Sequence, residues 1–140
     1  MSENWTDSRE QIVLSLNASG ASSAVLVCEH ASHFIPEHLN NLGLANVDRQ
    51  SHAAWDPGAL TIAQHLSAHF DAPLVASNIS RLVYDCNRPP DAPDAMPKQS
   101  ERITVPGNAN LSPTERQDRV VTYYTPFRAL PAATPPPNPT

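Results

Sequence analysis

Two short apolar runs flank an amphipathic segment, and this order constrains the fold more than any other feature of the chain. The first run, residues 24–28, is rich in valine, and the second covers residues 74–76. A run of this kind is typical of a strand buried on both faces of a parallel sheet. Strand, helix and strand in this order predict a βαβ unit with a right-handed crossover, and so an α/β fold around a mostly parallel sheet.

The segment between the two runs has the marks of a helix. Asp56 suits the N-cap, and Pro57 suits the first helical position, where its missing N–H costs nothing. Apolar side chains recur at helical spacing and predict one buried stripe: Ala59, Ile62, Ala63, Leu66 and Phe70. A second helix is predicted from the capping-box sequence at residues 112–115 to about Phe127, with Pro126 expected to end or kink it.

The remaining segments divide the chain into three parts. Residues 1–21 are a polar lead-in with one short strand expected near residues 11–16, and residues 22–130 form the domain. Within the domain, the proline-rich residues 89–110 predict a long ordered loop. Half of residues 131–140 are proline, so this tail is expected to be disordered.

Length and charge exclude several classes of protein. The chain has 140 residues, enough for one domain with a core, and a formal net charge of -5 with Lys98 as its single lysine. We therefore expect no nucleic-acid partner, because phosphate binding needs clustered Lys and Arg. No apolar stretch approaches the roughly 20 residues that cross a bilayer, and no signal peptide is recognisable. We expect a cytoplasmic protein, no membrane partner and reduced cysteines, and leave the oligomeric state open.

The run of residues 80–90 alternates polar and apolar side chains, which predicts a strand with one polar face. Its polar members include Arg81, Asp85, Asn87 and Arg88. An internal Arg81–Asp85 ion pair would neutralise one guanidinium. A second arginine and an amide would still offer donors, and guanidinium groups match carboxylates bidentately. The residues alone leave both the structural ion pair and a carboxylate-binding site open.

Two residues are candidate metal ligands. His30 follows the first strand closely, where pockets of open α/β sheets lie, and Asp56 precedes the helix that packs on the same sheet. A catalytic zinc ion takes three protein ligands and keeps one open position, so this pair would supply two. A histidine bonded to the loop backbone and a plain N-cap remain alternatives. His65 and His69 share a helix face, but no glutamate follows His65, which disfavours a metal site there.

Four motifs resemble those of the N-formylglutamate amidohydrolase family, and the likeness covers about residues 22–130. They are Val-Cys-Glu-His-Ala-Ser at 27–32, Trp-Asp-Pro-Gly-Ala at 55–59, the run at 80–89 and Pro-Gly-Asn at 106–108. The fold of that family is similar to those of zinc-dependent carboxypeptidases and peptidoglycan amidases. The resemblance implies a phosphorylase/hydrolase-like, three-layer α/β/α domain around a mostly parallel sheet.

The resemblance also implies roles for individual residues. His30 and Asp56 would be ligands of a divalent metal, zinc by analogy. Asn87 and Arg88 would hold the carboxylate of a small anionic N-acyl amino acid. Arg81 would contact the substrate or the oxyanion, with Asp85 orienting it. The implied activity is metal-dependent hydrolysis of N-formyl-L-glutamate or a related N-acyl amino acid, which releases formate and the amino acid. His52, one helical turn before Asp56, is a further candidate substrate contact.

The chain departs from the family pattern after about residue 130. Family members continue, and a later strand carries a histidine ligand in a His-Ser-type motif, whereas no histidine follows His69 here. The resemblance thus implies a C-terminally truncated and impaired enzyme, whose half sheet exposes apolar edges. A non-catalytic fragment or carboxylate-binding module is the alternative, and a peptidoglycan amidase is disfavoured by the lack of a secretion signal. The hydrolase interpretation requires His30, Asp56 and Arg88 to lie close together.

Overall fold

The computed structural model of the chain describes residues 11–133 and contains one three-stranded sheet. Its strands are β1 (Val13–Leu16), β2 (Leu26–Cys28) and β3 (Leu74–Ser77), in the order β1-β3-β2. β3 is parallel to β2 and antiparallel to β1. The fold is therefore α/β as predicted, but the sheet is mixed, because the short strand expected near residues 11–16 forms and pairs antiparallel with β3.

The other elements surround this sheet. The helices are a 3-10 turn at Glu37–Gly43, α1 (Asn46–Arg49), α2 (Ala59–Phe70), α3 (Pro113–Arg119), a π-helical segment at Val120–Tyr124 and α4 (Thr125–Ala133). Within the proline-rich residues 89–110, the antiparallel pair β4 (Gln99–Ser100) and β5 (Ile103–Thr104) precedes a 3-10 turn at Pro106–Asn108. No helix within residues 11–133 is long and apolar enough to cross a membrane.

The predicted βαβ unit is present as β2, α2 and β3. Leu26 pairs with Leu74 and Val27 with Val75 in the parallel register. All four residues of β3 are buried, as expected for a central strand. β2 differs, because it lies at the edge of the sheet and Val27 is exposed, so the prediction of a strand buried on both faces is wrong for β2.

Only part of the predicted apolar stripe of α2 is covered. Ala59 and Ala63 pack with Leu60 onto the sheet face that carries Cys28, Leu74 and Ala76. The prediction that Ile62, Leu66 and Phe70 are buried is wrong, because all three are exposed. α2 packs on β2 and β3, and this face of three short strands covers only the alanine side of the stripe.

The opposite face of the sheet packs against the larger core, which includes side chains of the π-helical segment and α4. The capping box predicted at residues 112–115 is confirmed, since Ser112 and Glu115 each cap the backbone N–H of the other. Of the two effects predicted for Pro126, it does not end the helix, which is distorted beside it instead. The backbone widens just before it, where Thr125 N–H donates to the carbonyl of Val120 five residues back, and the helix continues to Ala133. Residues 1–10 and 134–140 of the predicted lead-in and tail lie outside the described residues.

The run of residues 80–90 is a series of turns, so the prediction of a strand is wrong. Ser80 Oγ accepts from the amide of Leu82, and Asp85 Oδ1 accepts from the amide of Asn87 at 3.0 Å. Such local side-chain bonds compete with strand pairing and favour turns. Val83 is buried as completely as Leu82, so the alternation in sequence does not separate a polar face from an apolar one.

Candidate active site

His30 lies two residues beyond β2, between two carboxylates. Its Nδ1 is 3.1 Å from Asp56 Oδ2, and its Nε2 is 2.8 Å from Asp85 Oδ1. The amide of Asp56 also donates to the carbonyl oxygen of His30 at 3.0 Å, which holds the chain after β2 beside the chain that leads into α2. His30 is thus held through its ring by two carboxylates and through its carbonyl oxygen by the amide of Asp56. It is not a histidine held only by a bond to the loop backbone.

Asp56 is not the N-cap of α2. The cap position is Gly58, whose φ of 87° is readily adopted only without a side chain, and no side chain caps the helix. Asp56 contributes its carbonyl oxygen, which accepts from the amide of Ala59 at 3.0 Å. Because its carboxylate is not used as a cap, it contacts His30 and Arg81 instead. The N-cap interpretation of Asp56 is wrong, and the pairing with His30 replaces it.

Arg81 is tied to the segment that contains Asp56. Its Nε donates to the carbonyl of Ala53 at 2.8 Å, its Nη2 to the carbonyl of His52, and its Nη1 to Asp56 Oδ1 at 3.1 Å. Among residues 11–133, the carboxylate paired with Arg81 is that of Asp56. The expected Arg81–Asp85 ion pair is therefore wrong, and so is the role of Asp85 in orienting Arg81.

Asp85 instead positions His30. It is nearly buried and accepts from both His30 Nε2 and the amide of Asn87. The hydrogen bond to Asp85 raises the pKa of His30 above its usual value, although burial opposes this. Burial alone would raise the pKa of Asp85, but the bonds from His30 and Asn87 outweigh it and lower that pKa. The sequence identified Asp85 as a polar residue of the run at 80–90 but did not indicate that His30 is its partner.

A cleft of about 350 Å³ opens beside this cluster. Its lining includes His30, Arg81, Asp85, Asn87, Arg88 and Glu101. Arg88 is half-exposed and its Nε donates to Asp94 Oδ2 at 2.8 Å, while the side-chain amide of Asn87 has no hydrogen-bond partner within residues 11–133. The His52 ring is largely exposed and reaches only the rim, 4.0 Å from Glu101. His30 and Arg88 thus line the same cleft, whereas Asp56, which contacts His30, and the His52 ring lie outside that lining.

A buried network holds this part of the chain in place. Asn108 Nδ2 donates to the carbonyls of Leu82 and Pro97 at 2.7 and 2.8 Å. Arg119 Nη1 donates to Asn108 Oδ1 at 2.6 Å and to the carbonyl of Val83 at 3.0 Å. The sequence placed Asn108 in the Pro-Gly-Asn motif but predicted no role for it. Nothing in the sequence distinguished Arg119 from the other charged residues of α3.

Comparison with known proteins assigns the chain to a family. A family model described as N-formylglutamate amidohydrolase matches residues 22–133. The chain belongs to the N-formylglutamate amidohydrolase family. It is also similar to a solved structure, gene product Atu2144 from Agrobacterium tumefaciens, with 46% identity and a TM-score of 0.88 over 91% of this chain. This match covers 51% of the Agrobacterium chain, so our chain spans about half its length. No curated protein matches the chain.

The metal implied by the resemblance can be tested against the donors present. His30 and Asp56 converge, with donor atoms 3.1 Å apart, and imidazole and carboxylate are both ligands that zinc accepts. Asp85 holds the other ring nitrogen, as carboxylates commonly do for metal-bound histidines in proteins. Within the described part of the chain, no three His, Cys, Asp or Glu side chains form a group able to hold a metal ion. The donors therefore fit two positions of a zinc site.

Proposed function

We propose that this chain carries the substrate-binding half of an amidohydrolase for N-formyl-L-glutamate or a related N-acyl amino acid. One observation supports the proposal most: His30, held between Asp56 and Asp85, opens onto the same cleft as Arg81, Asn87 and Arg88. A carboxylate-bearing substrate bound by the arginines would place its acyl group near the imidazole. From N-formyl-L-glutamate the products would be formate and glutamate, and another N-acyl amino acid would release the carboxylate of its own acyl group.

His30 and Asp56 would hold a divalent metal, for which zinc suits the donors best. A bound zinc ion would supply hydroxide near neutral pH, because it lowers the pKa of a water molecule that it holds to about 7. Asp85 fixes the imidazole through Nε2, so Nδ1, which lies 3.1 Å from Asp56 Oδ2, is the nitrogen that would face a metal held with Asp56. Arg81, beside Asp56, adds a positive charge where the attacked carbonyl becomes negative.

Asn87 and Arg88 would hold the substrate carboxylate. A hydrogen bond to a charged group contributes about 1.5–3 kcal/mol. The pair between Arg88 and Asp94 is exposed at both side chains, so exchanging Asp94 for a substrate carboxylate should cost little. The side-chain amide of Asn87 would add a second donor group beside the guanidinium of Arg88 in the cleft.

Binding and turnover should be measured separately. We expect N-formyl-L-glutamate to bind in calorimetry, and Arg88→Ala to weaken that binding roughly tenfold or more, from the loss of one charged hydrogen bond. Arg116→Ala, an arginine of α3 outside the cleft lining, should leave binding unchanged. Formate release is then assayed with added zinc and with a chelator. Equal binding in Arg88→Ala and wild type would contradict the proposal.

A carboxylate-binding module that works without metal is the second candidate. It is favoured by the two carboxylates that already occupy both ring nitrogens of His30. In this case N-formyl-L-glutamate binds with the same affinity with zinc and with a chelator, and Arg88→Ala still weakens it. Zinc-dependent binding or any formate release would exclude this candidate.

A further inference from the structure

The tip of the β4–β5 hairpin places a carboxylate on the wall of the candidate active site. Glu101 and Arg102 form the two-residue connection between the strands, and Glu101 lines the cleft together with Gln99 and Ser100. The Glu101 side chain is 58% exposed, and its Oε2 is 4.0 Å from Nε2 of the His52 ring, which is itself 74% exposed. A contact of this length between two exposed groups neutralises little of the carboxylate charge.

The hairpin holds Glu101 in a backbone conformation that would suit glycine better. Its φ is 58°, in the left-handed region that side chains other than those of asparagine and aspartate rarely enter. The base of the hairpin is tied to the rest of the fold. Val105 N–H donates to the carbonyl of Lys98 at 2.8 Å, and the carbonyl of Pro97 accepts from Asn108 of the buried network. The Glu101 carboxylate is therefore presented to the cleft from an anchored base.

Two of the three basic side chains that line the cleft are held by carboxylates of the site itself. Arg81 Nη1 lies 3.1 Å from Asp56 Oδ1, and His30 Nε2 lies 2.8 Å from Asp85 Oδ1. Arg81 also donates to two backbone carbonyls. A ligand carboxylate that paired with either side chain would have to displace a carboxylate already there. Arg88 is the third basic side chain of the lining.

The cleft formed by the described residues thus has one place for a carboxylate, at Arg88. The partner of Arg88 is Asp94, and both side chains of this pair are exposed, so a ligand carboxylate can take the place of Asp94. The carboxylate of Asp94 then remains in the cleft without its cation, beside that of Glu101. In a cleft of about 350 Å³, a second ligand carboxylate would lie within range of both and would be repelled.

We propose that the cleft selects N-acyl amino acids with one carboxylate and an uncharged or basic side chain, and that Glu101 sets this specificity. The inference rests on the proposed function and deepens it by naming the substrate class. The α-carboxylate of the substrate binds Arg88. The substrate side chain extends toward the hairpin, where Gln99 and Ser100 offer an amide and a hydroxyl group. N-formyl-L-glutamate still binds through Arg88, but Glu101 repels its second carboxylate.

Binding of two ligands of the same shape and different charge tests the proposal. N-formyl-L-glutamine has the shape of N-formyl-L-glutamate but ends in an amide. We expect calorimetry on the 140-residue chain, at one fixed zinc concentration, to show roughly threefold or more tighter binding of the glutamine compound. Glu101→Gln should make the two affinities equal, and Glu101→Asp should keep the preference. The preference of the wild type should shrink as the salt concentration rises, because salt screens exposed charges.

The matched control is Glu37→Gln, which removes the same charge from an exposed glutamate outside the cleft lining. It should keep the wild-type preference. If the wild type binds N-formyl-L-glutamate as tightly as the glutamine compound or more tightly, the inference is overturned and the proposed function stands. A preference that persists in Glu101→Gln would also overturn the inference. If neither compound binds, the proposed function fails, and this inference fails with it.

Discussion

The two faces of the sheet differ in how completely the rest of the chain covers them. One face is covered by the larger core, where Leu82, Val83 and Tyr84 are almost completely buried and Asn108 donates to the carbonyl of Leu82. The other face has α2 alone, and three of the five residues in the apolar stripe of α2 are exposed. We call these the closed face and the open face. The difference teaches that, among residues 11–133, burial is nearly complete around β3 and falls off beyond β2.

The candidate active site joins the two faces. His30 follows β2, the strand of the free edge, whereas Asp85 and Arg81 come from the turns that pack into the closed face. The bond between His30 and Asp85 therefore anchors the end of an edge strand to the well-packed part of the molecule. Geometry at the site should depend on residues of the closed face and be insensitive to the exposed side chains of α2.

The largest contrast should appear in core truncations. Leu82→Ala removes a fully buried side chain of the closed face and should lower the free energy of unfolding by about 2–5 kcal/mol. Ile62→Ala, on the open face, should change it by at most about 0.5 kcal/mol, because that side chain is already in water. Urea denaturation of both variants measures this. Similar losses in the two variants would show that the open face is covered in solution.

The buried network should give the next largest effect. Asn108→Ala removes three hydrogen bonds and leaves the carbonyls of Leu82 and Pro97 and the Arg119 guanidinium without that partner. We expect a loss of about 2–3 kcal/mol in the free energy of unfolding. The control is Asn46→Ala, an exposed asparagine on α1, which should lose at most about 0.5 kcal/mol. Equal stability of the two variants would mean that water replaces the side chain of Asn108.

The bond between His30 and Asp85, which connects the two faces, should affect the affinity for zinc. Asp85→Ala frees the His30 ring, and loss of a carboxylate behind a ligating histidine costs about 10–100-fold in metal affinity. Asp85→Asn keeps an oxygen acceptor and should recover part of that affinity. Asp94→Ala, a cleft carboxylate that contacts Arg88 and not His30, is the matched control. Calorimetric titration measures the zinc affinity of all three variants. If Asp85→Ala binds zinc as tightly as wild type, Asp85 does not support metal binding by His30.

The sequence predicted the type and order of local elements better than it predicted which of their surfaces are buried. The βαβ order and the capping box follow from patterns within a few residues, and both are confirmed. The stripe of α2 predicted one apolar surface, but a helical period does not say how many strands lie beneath it. The run at 80–90 gave the right residues for the cleft and the wrong backbone, because side-chain bonds to nearby amides turn the chain there. The partner of Asp85 lies 55 residues away, and no local pattern encodes it.

The smallest expected effect is the pH dependence of stability that comes from the His30–Asp85 pair. The raised pKa of His30 stabilises the fold below the ordinary histidine value, and this contribution is lost as pH rises through the folded pKa. The lowered pKa of Asp85 contributes above the ordinary aspartate value, and that contribution is lost as pH falls through its folded pKa. Both contributions are present together between about pH 4 and pH 6.5, the ordinary values of the two groups.

The stability difference between wild type and Asp85→Asn should therefore be greatest in that window. We expect it to be larger at pH 5.5 than at pH 8, because the contribution from the raised pKa of His30 is lost as pH rises. Urea denaturation at pH 3.5, 5.5 and 8 gives the three values, with Asp94→Asn as the control for a carboxylate that does not contact His30. A difference that is constant across the three pH values would mean that the pair does not change its protonation on folding. The link between the free edge and the closed face would then rest on the geometry of the hydrogen bond alone, without the added attraction of opposite charges.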